Sequence, residues 1–284
     1  MDKMERPLII NLAPTGAVAD ASKNPRVPLT LEAIVEDVKA CADRGVSMAH
    51  IHVRDENGAP SCEPARFARV FEAVRESNTC ADVVLIASTS GRHGQTLDQR
   101  AAVLHLPADV RPDMGSLTLG SLNFVTGASV NAPDTIRALV DHMNDAGVKP
   151  ELEVFDVGMI EFAKVLIAEG RIKPPFYFNL LLGNIGALQA TPQHLGFALS
   201  LLPENSFVSV AGIGRYQRVA NALGAVSCDG VRVGLEDNLW ADQSTRAPAS
   251  NALLTERVAT LCEALGRPIA TPQQTRELLA LPGR

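Results

Sequence analysis

The chain has 284 residues, 46% hydrophobic but only 4% aromatic, which allows a sizeable core built from aliphatic side chains. Its 26 basic and 32 acidic residues leave a net charge of −6, and the absence of any basic run argues against nucleic acid as a partner. No stretch reaches the ~20 apolar residues of a membrane helix, Met1–Pro7 leads into no signal-peptide core, and five scattered cysteines (Cys41, Cys62, Cys80, Cys228, Cys262) without a Cys-x-x-Cys read as the reduced thiols of a cytoplasmic protein.

The first strand is expected over Leu8–Ala13, followed by a polar, proline-rich loop. Thr30 is placed to cap a helix running to about Arg44, with Leu31, Ile34, Val35, Val38 and Ala42 at helical spacing and Gly45 as its stop. A second strand, Val46–Val53, carries His50-Ile51-His52. Alternation along a strand sends the two imidazoles to one face and Ile51 to the other. Phe67, Val70, Phe71 and Val74 mark the next helix. Strand three, Val83–Ala87, ends in Ser88-Thr89-Ser90-Gly91 and is followed by a helix over Leu97–Leu104. A shorter fourth strand lies near Met114–Leu119, and Pro133 opens a helix at a first-turn position. Strand five is Glu151–Phe155, with a helix through Ile160 and Leu166, and strand six is Phe176–Leu182, with a helix from Thr191. Strand seven, Phe207–Ala211, runs into Gly212-Ile213-Gly214. Strand eight, Gly230–Val233, runs into Gly234-Leu235-Glu236-Asp237-Asn238. A long helix over Ser250–Leu265 and a short one after Thr271-Pro272 close the chain.

Strand–helix alternation implies a parallel sheet, and eight repeats imply a closed (β/α)8 TIM barrel, expected here as one domain over residues 1–284 with a C-terminal helical extension. An open doubly wound sheet is the alternative, and the lack of a Gly-x-Gly-x-x-Gly after the first strand argues against its dinucleotide-binding form. Barrel active sites form at the C-terminal strand ends. The polar residues expected there are Thr15, His50, His52, Ser88, Ser116, Glu153, Asn179, Arg232, Glu236 and Asp237. Charged groups at a barrel mouth cost desolvation unless paired or metal-bound. Two histidines and a carboxylate such as Glu236 make a divalent-metal set with positions left open for substrate. Gly212 and Gly214 fit an anion-binding turn and a merely tight turn equally well.

Thr15-Gly16-Ala17, His50-Ile51-His52-Val53-Arg54, Ser88-Thr89, Pro150-Glu151-Leu152-Glu153-Val154, Ala211-Gly212-Ile213-Gly214-Arg215 and Arg232-Val233-Gly234-Leu235-Glu236-Asp237-Asn238 occur in the order and spacing of the β-keto acid cleavage enzymes. The chain resembles that family along essentially its whole length; the family's type member is the 3-keto-5-aminohexanoate cleavage enzyme. The resemblance implies a zinc-dependent barrel, with another divalent metal as an alternative, that condenses a β-keto acid with acetyl-CoA to give acetoacetate and an acyl-CoA. It also implies a homotetramer. Matched residue by residue, it makes His50, His52 and Glu236 the metal ligands and Asp237 the base, suited to drawing a proton from the methyl of acetyl-CoA. Arg232 becomes the base's companion, and Ser88, Gly91, Ser116 and Glu153 become substrate-pocket residues.

Two positions depart from the type member. The Glu that holds its substrate's ammonium group after Thr-Gly-Ala is here Val18, so an amino substrate is disfavoured. Arg92 follows Gly91 where the type member has small apolar residues. Pointing inward, it would suit a distal carboxylate, as in 3-oxoadipate or 3-oxoglutarate; pointing outward, it would face solvent or CoA phosphates. The competing reading is an amidohydrolase-like metal hydrolase. It requires further histidine ligands on the middle strands, whereas His93, His105, His142 and His194 fall in a loop, helices and a helix start.

Overall fold

The structure is a computed structural model that describes residues 3–92, 94–125 and 127–283. Eight parallel strands close into a barrel in sequence order: β1 (Ile9–Leu12), β2 (Met48–Ile51), β3 (Val84–Ala87), β4 (Met114–Thr118), β5 (Lys149–Val154), β6 (Phe176–Leu182), β7 (Ser206–Gly212) and β8 (Gly230–Val233). Closure is made by β1 against β8, with Ile9 opposite Gly230 and Asn11 opposite Arg232. The expected (β/α)8 barrel is therefore the fold observed.

The surrounding helices are α1 (Leu31–Ala42), α2 (Pro64–Arg75), α3 (Leu97–Ala101), α4 (Pro133–Ala146), α5 (Val157–Ala168), α6 (Pro192–Leu201), α7 (Gln217–Ser227), α8 (Asn251–Leu265) and α9 (Pro272–Leu278). Their starts follow local chemistry. Thr30, Thr191, Ser250 and Thr271 each accept a backbone N–H of the first turn, while Pro64, Pro133, Pro192 and Pro272 sit in first turns, where no donor is lost. The helix expected over Leu97–Leu104 is α only to Ala101 and continues as a 3-10 turn over Ala102–His105.

The helix between β7 and β8 was not marked by any apolar stripe in the sequence. Its inward face carries Gln217, Ala220, Asn221, Gly224 and Ala225. The polar members of that face bind the sheet: Asn221 Nδ2 donates to the Arg232 carbonyl at 2.8 Å, and Gln217 Nε2 to the Gly234 carbonyl at 2.8 Å. Short antiparallel ribbons in the loops, Val53–Arg54 with Pro60–Ser61, Leu122–Phe124 with Gly127–Ser129 and Trp240–Asp242 with Ala247–Pro248, also escaped the sequence pattern, because they are too short to show period-two alternation.

Alternation along the strands sorts the barrel interior into layers. Ile9, Met48, Val84, Ile86, Met114 and Tyr177 form an apolar plug at the lower interior, closed from beneath by Ala270, Leu279 and Leu281. Above the plug come Asn11, His50, Ser116 and Asn179, one inward position further along β1, β2, β4 and β6, with Glu151, Ser209 and Arg232 of β5, β7 and β8, all buried. Outward residues such as Ile10, Leu12, Ala49, Ile51, Leu85 and Val231 join the helices in the larger core. The plug excludes water from below, so the polar layer opens only towards the C-terminal strand ends.

At the opposite end, Arg276 of α9 makes a two-pronged ion pair with Asp113, which precedes β4, with Nη1–Oδ1 at 3.0 Å and Nη2–Oδ2 at 3.1 Å. Both are buried. Arg276→Ala removes this ion pair while Asp113 still accepts the Leu85 N–H at 2.9 Å, and the expected loss is about 1.5–3 kcal/mol of unfolding free energy. Urea denaturation of the variant checks this.

Candidate active site

The upper interior opens into a cavity of about 240 Å³. His50 and His52, Ser88, Ser90, Gly91, Arg92, Ser116, Thr118, Glu153, Arg232, Glu236 and Asp237 line it, joined by Val18 on the rim. The polar candidates expected at the strand ends thus reach one cavity, apart from Thr15 and Asn179, which are buried outside its lining, and Gly212 and Gly214 do not line it.

His50 and His52 have ring centroids 5.3 Å apart. The Nδ1 of His50 lies 2.6 Å from Glu151 Oε2. Glu151 is fully buried and takes two further donors on Oε1, Asn11 Nδ2 at 2.9 Å and Asn179 Nδ2 at 3.2 Å. Burial pushes the Glu151 carboxyl up, but the His50 charge and hydrogen bond, with Arg232 and Asn11, outweigh it and hold the acid below its ordinary range. A carboxylate on Nδ1 leaves the Nε2 of His50 free to face the cavity. Glu151 stands two residues before Glu153 and therefore on the same face of β5, a signal present in the sequence although only Glu153 was singled out.

Glu236 sits between Arg232 and the histidines. Its Oε1 is 2.7 Å from Arg232 Nη2 and 3.3 Å from His52 Nε2, while its buried Oε2 has no hydrogen-bond partner. Burial raises the Glu236 pKa, yet Arg232, His52 and His50 drive it well below the ordinary carboxylate range. One donor atom from each of His50, His52 and Glu236 can be chosen within 4.8 Å of the others. A buried anionic oxygen without a hydrogen-bond partner beside two imidazoles is a donor set that fits a divalent cation such as zinc.

Arg232 is 1% exposed. Its Nε and Nη2 grip Asp237 Oδ2 and Oδ1 at 2.9 and 3.1 Å, and its Nη1 lies 3.5 Å from Glu153 Oε1. Burial alone would lower its pKa, but the surrounding carboxylates raise it well above the ordinary value. Burial raises Asp237, with Arg232 only partly opposing, and Glu153 moves the same way for the same leading cause. Glu153 also accepts from Thr118 Oγ1 at 2.7 Å, a partner directly opposite it on β4.

The loops are held to this frame by contacts the sequence did not disclose. Arg54 donates from Nη2 to the carbonyls of Gly16 and Ala19 at 2.6 and 3.1 Å, fixing the loop that presents Val18. Ser116 Oγ accepts the Thr89 N–H at 3.0 Å. Behind Gly91, Arg100 donates to the Thr89 carbonyl and to Asn131 at 2.7 and 2.9 Å, and a Cβ at Gly91 would meet its Nη1 at 2.9 Å. The N–H groups of Ile213 and Gly214 donate to the Leu182 and Asp237 carbonyls at 2.8 and 2.6 Å. The turn after β7 thereby helps seat Asp237, and the Gly214 N–H is already engaged by its carbonyl.

His105 and His142 bond to each other at 2.9 Å on the exterior, and His194 accepts the Gln189 N–H. His93 lies outside the described residues. Among the described residues no histidine besides His50 and His52 lines the cavity, as an amidohydrolase ligand set would need.

The architecture defines a (β/α)8 barrel whose mouth combines a two-histidine, one-carboxylate cluster with an arginine-braced acid. The family model for beta-keto acid cleavage enzyme matches residues 7–281, and the chain belongs to that family. It is 38% identical over 275 residues to the 3-keto-5-aminohexanoate cleavage enzyme of Acetoanaerobium sticklandii, covering 96% of this chain and 98% of that protein. It is 39% identical over 283 residues to the 3-oxoadipate:acetyl-CoA acetyltransferase of Cupriavidus necator, covering 98% and 96%. The solved apo structure of ObcA superposes with a TM-score of 0.73 over 90% of this chain and 66% of that one, at 23% identity, a likeness of fold.

Gly16 has φ +65°, and a Cβ there would lie 2.5 Å from Glu236 Cγ. Gly16→Ala is expected to cost about 1–3 kcal/mol through strain and to displace Glu236. A thermal melt and a crystal structure of the variant check the two effects.

Proposed function

We propose that the protein condenses a β-keto acid with acetyl-CoA, releasing acetoacetate and a new acyl-CoA, with His50, His52 and Glu236 holding a zinc ion. The observation that carries this reading is the bare, buried Oε2 of Glu236 beside His50 and His52, in the cavity that Asp237 also lines. When bound, the metal supplies Lewis acidity toward the keto oxygen of the acid.

Atom balance decides where the proton comes off. Acetoacetate keeps the acetyl methyl intact and joins the acetyl carbonyl to C2 of the β-keto acid. The carbon to be deprotonated is therefore C2, between the keto and carboxylate groups, and not the acetyl methyl expected above. Asp237 serves as the base. Arg232 occupies both its oxygens, but each keeps a further lone pair, and the raised pKa improves its match to the proton it takes. The C2 carbanion attacks the thioester carbonyl and the CoA thiolate departs. The thiolate then adds to the C3 keto carbon, the C2–C3 bond breaks, and the released acetoacetate carbanion recovers the proton from Asp237. Arg232 balances the charge of Asp237 and Glu236 throughout, and Ser88, Ser116 and Glu153 offer polar contacts to the acid. The apolar Val18 on the rim supports a neutral or anionic substrate over an amine.

Homotetramer assembly belongs to the same proposal and is supported by the exposed apolar side chains of Val125, Val130 and Ile185 around the mouth. Cytoplasmic residence is supported by the free state of all five cysteines. No described helix is long and apolar enough to cross a membrane.

Detection by mass of acetoacetate labelled from acetyl-CoA, on incubation with a series of β-keto acids, tests the reaction; no labelled acetoacetate with any of them refutes it. His52→Ala is expected to abolish stoichiometric zinc, and Glu151→Gln to weaken zinc affinity about 10–100-fold by loosening His50, as read by chelator competition. Asp237→Asn should retain zinc and lose at least ~100-fold in kcat. Near-normal turnover would move the base elsewhere, with Glu153 next.

A further inference from the structure

We propose that Arg92 is the specificity-determining residue of this cavity and that it selects a β-keto acid bearing a second carboxylate at its far end. The inference rests on the reaction proposed above and names the class of acid that enters it.

Two arginines line the cavity, and they are in opposite situations. Arg232 is saturated by Asp237, Glu236 and Glu153. Arg92 forms no ion pair among the described residues. Its guanidinium carbon instead lies 3.5 Å from the centroid of the Phe124 ring. Stacking covers one face of the guanidinium and leaves its edge N–H groups to a planar acceptor in the cavity. Arg92 is half-buried, and burial lowers its pKa against the pull of Glu236 and Glu153. A cation withdrawn from water without a carboxylate of its own is a standing cost that an anionic ligand removes.

The rest of the cavity agrees. Phe124, Phe155, Leu181 and Ile213 present no charge, and Glu153, Glu236 and Asp237 are already shared with Arg232. A cationic tail therefore finds no free acid, and a neutral tail leaves Arg92 unpaired. Besides the reacting carboxylate, which both acids compared below carry, the CoA phosphates are the other anions in the reaction. The whole pantetheine arm separates them from the thioester, which must sit beside Asp237, so a residue lining the same small cavity meets the acid and not the diphosphate.

The test compares kcat/KM for 3-oxoadipate and 3-oxohexanoate, acids of equal chain length, in the wild-type protein, Arg92→Met and Arg92→Lys. The wild type is expected to favour the diacid by about 30-fold or more, the scale of one charge-assisted pair. In Arg92→Met that ratio collapses towards one, and Arg92→Lys restores part of it. A wild-type preference for 3-oxohexanoate, or a loss in Arg92→Met shared equally by both acids, overturns the proposal. Calorimetric binding of adipate against hexanoate separates this proposal from the reaction it rests on. If no acetoacetate forms but adipate binds more tightly and only while Arg92 is present, the reaction is wrong and the carboxylate subsite stands. If acetoacetate forms and adipate gains nothing from Arg92, the reaction stands and the subsite is wrong.

Discussion

Burying a guanidinium at the centre of a barrel is the constraint on which the rest of this molecule depends. Arg232 is withdrawn from water on β8 and touches Glu153, Glu236 and Asp237. Without it, three acids would crowd one cavity and one or more would take up a proton. With it, Glu236 stays ionised beside the histidines while Asp237 remains a weaker acid at the same mouth. Two adjacent carboxylates in one turn thereby acquire different chemistry, set by which neighbours share the guanidinium. The backbone of Arg232 is in turn held from behind by Asn221, so the seventh helix contributes to the site without touching it.

A second buried network repeats the device with neutral donors. Glu151 is surrounded by His50, Asn11 and Asn179, drawn from β2, β1 and β6. It rigidifies the imidazole that faces the cavity and places its charge where strand side chains, not loops, set the distance. A barrel suits this purpose, because inward positions of non-adjacent strands meet at the axis. The residues proposed to select the acid are by contrast on loops: Val18 on the segment clamped by Arg54, and Arg92 on the turn braced by Arg100. His50, Glu151, Glu153 and Arg232 are thus fixed by strands, while Glu236 and Asp237 follow β8 in a turn held by Arg232.

The sequence was most informative where a residue's role follows from local chemistry. Threonine caps, first-turn prolines and aliphatic runs located the strands and all helices but one, with edges within a few residues. Period-two alternation put His50 with His52, and the same spacing relates Glu151 to Glu153, although only Glu153 was singled out. The seventh helix was obscured because its inner face binds backbone carbonyls through Gln217 and Asn221, so it lacks an apolar stripe. The turn at Gly212 to Gly214 could not be judged without knowing that the Ile213 and Gly214 N–H groups are already spent on Leu182 and Asp237.

What the sequence by itself determined is the strand–helix order, the closed barrel it implies, the family, and the set of residues at the strand ends, because each depends on near neighbours or on motif order. Only the tertiary structure decided which acid each cation serves. Glu151 belongs to a histidine 101 positions away, and Glu153 to an arginine 79 positions away. The same holds for Arg92, whose inward course depends on a ring from the next loop, Phe124. Pairing across a barrel is fixed by closure and register, and neither leaves a mark on the residues immediately flanking the pair.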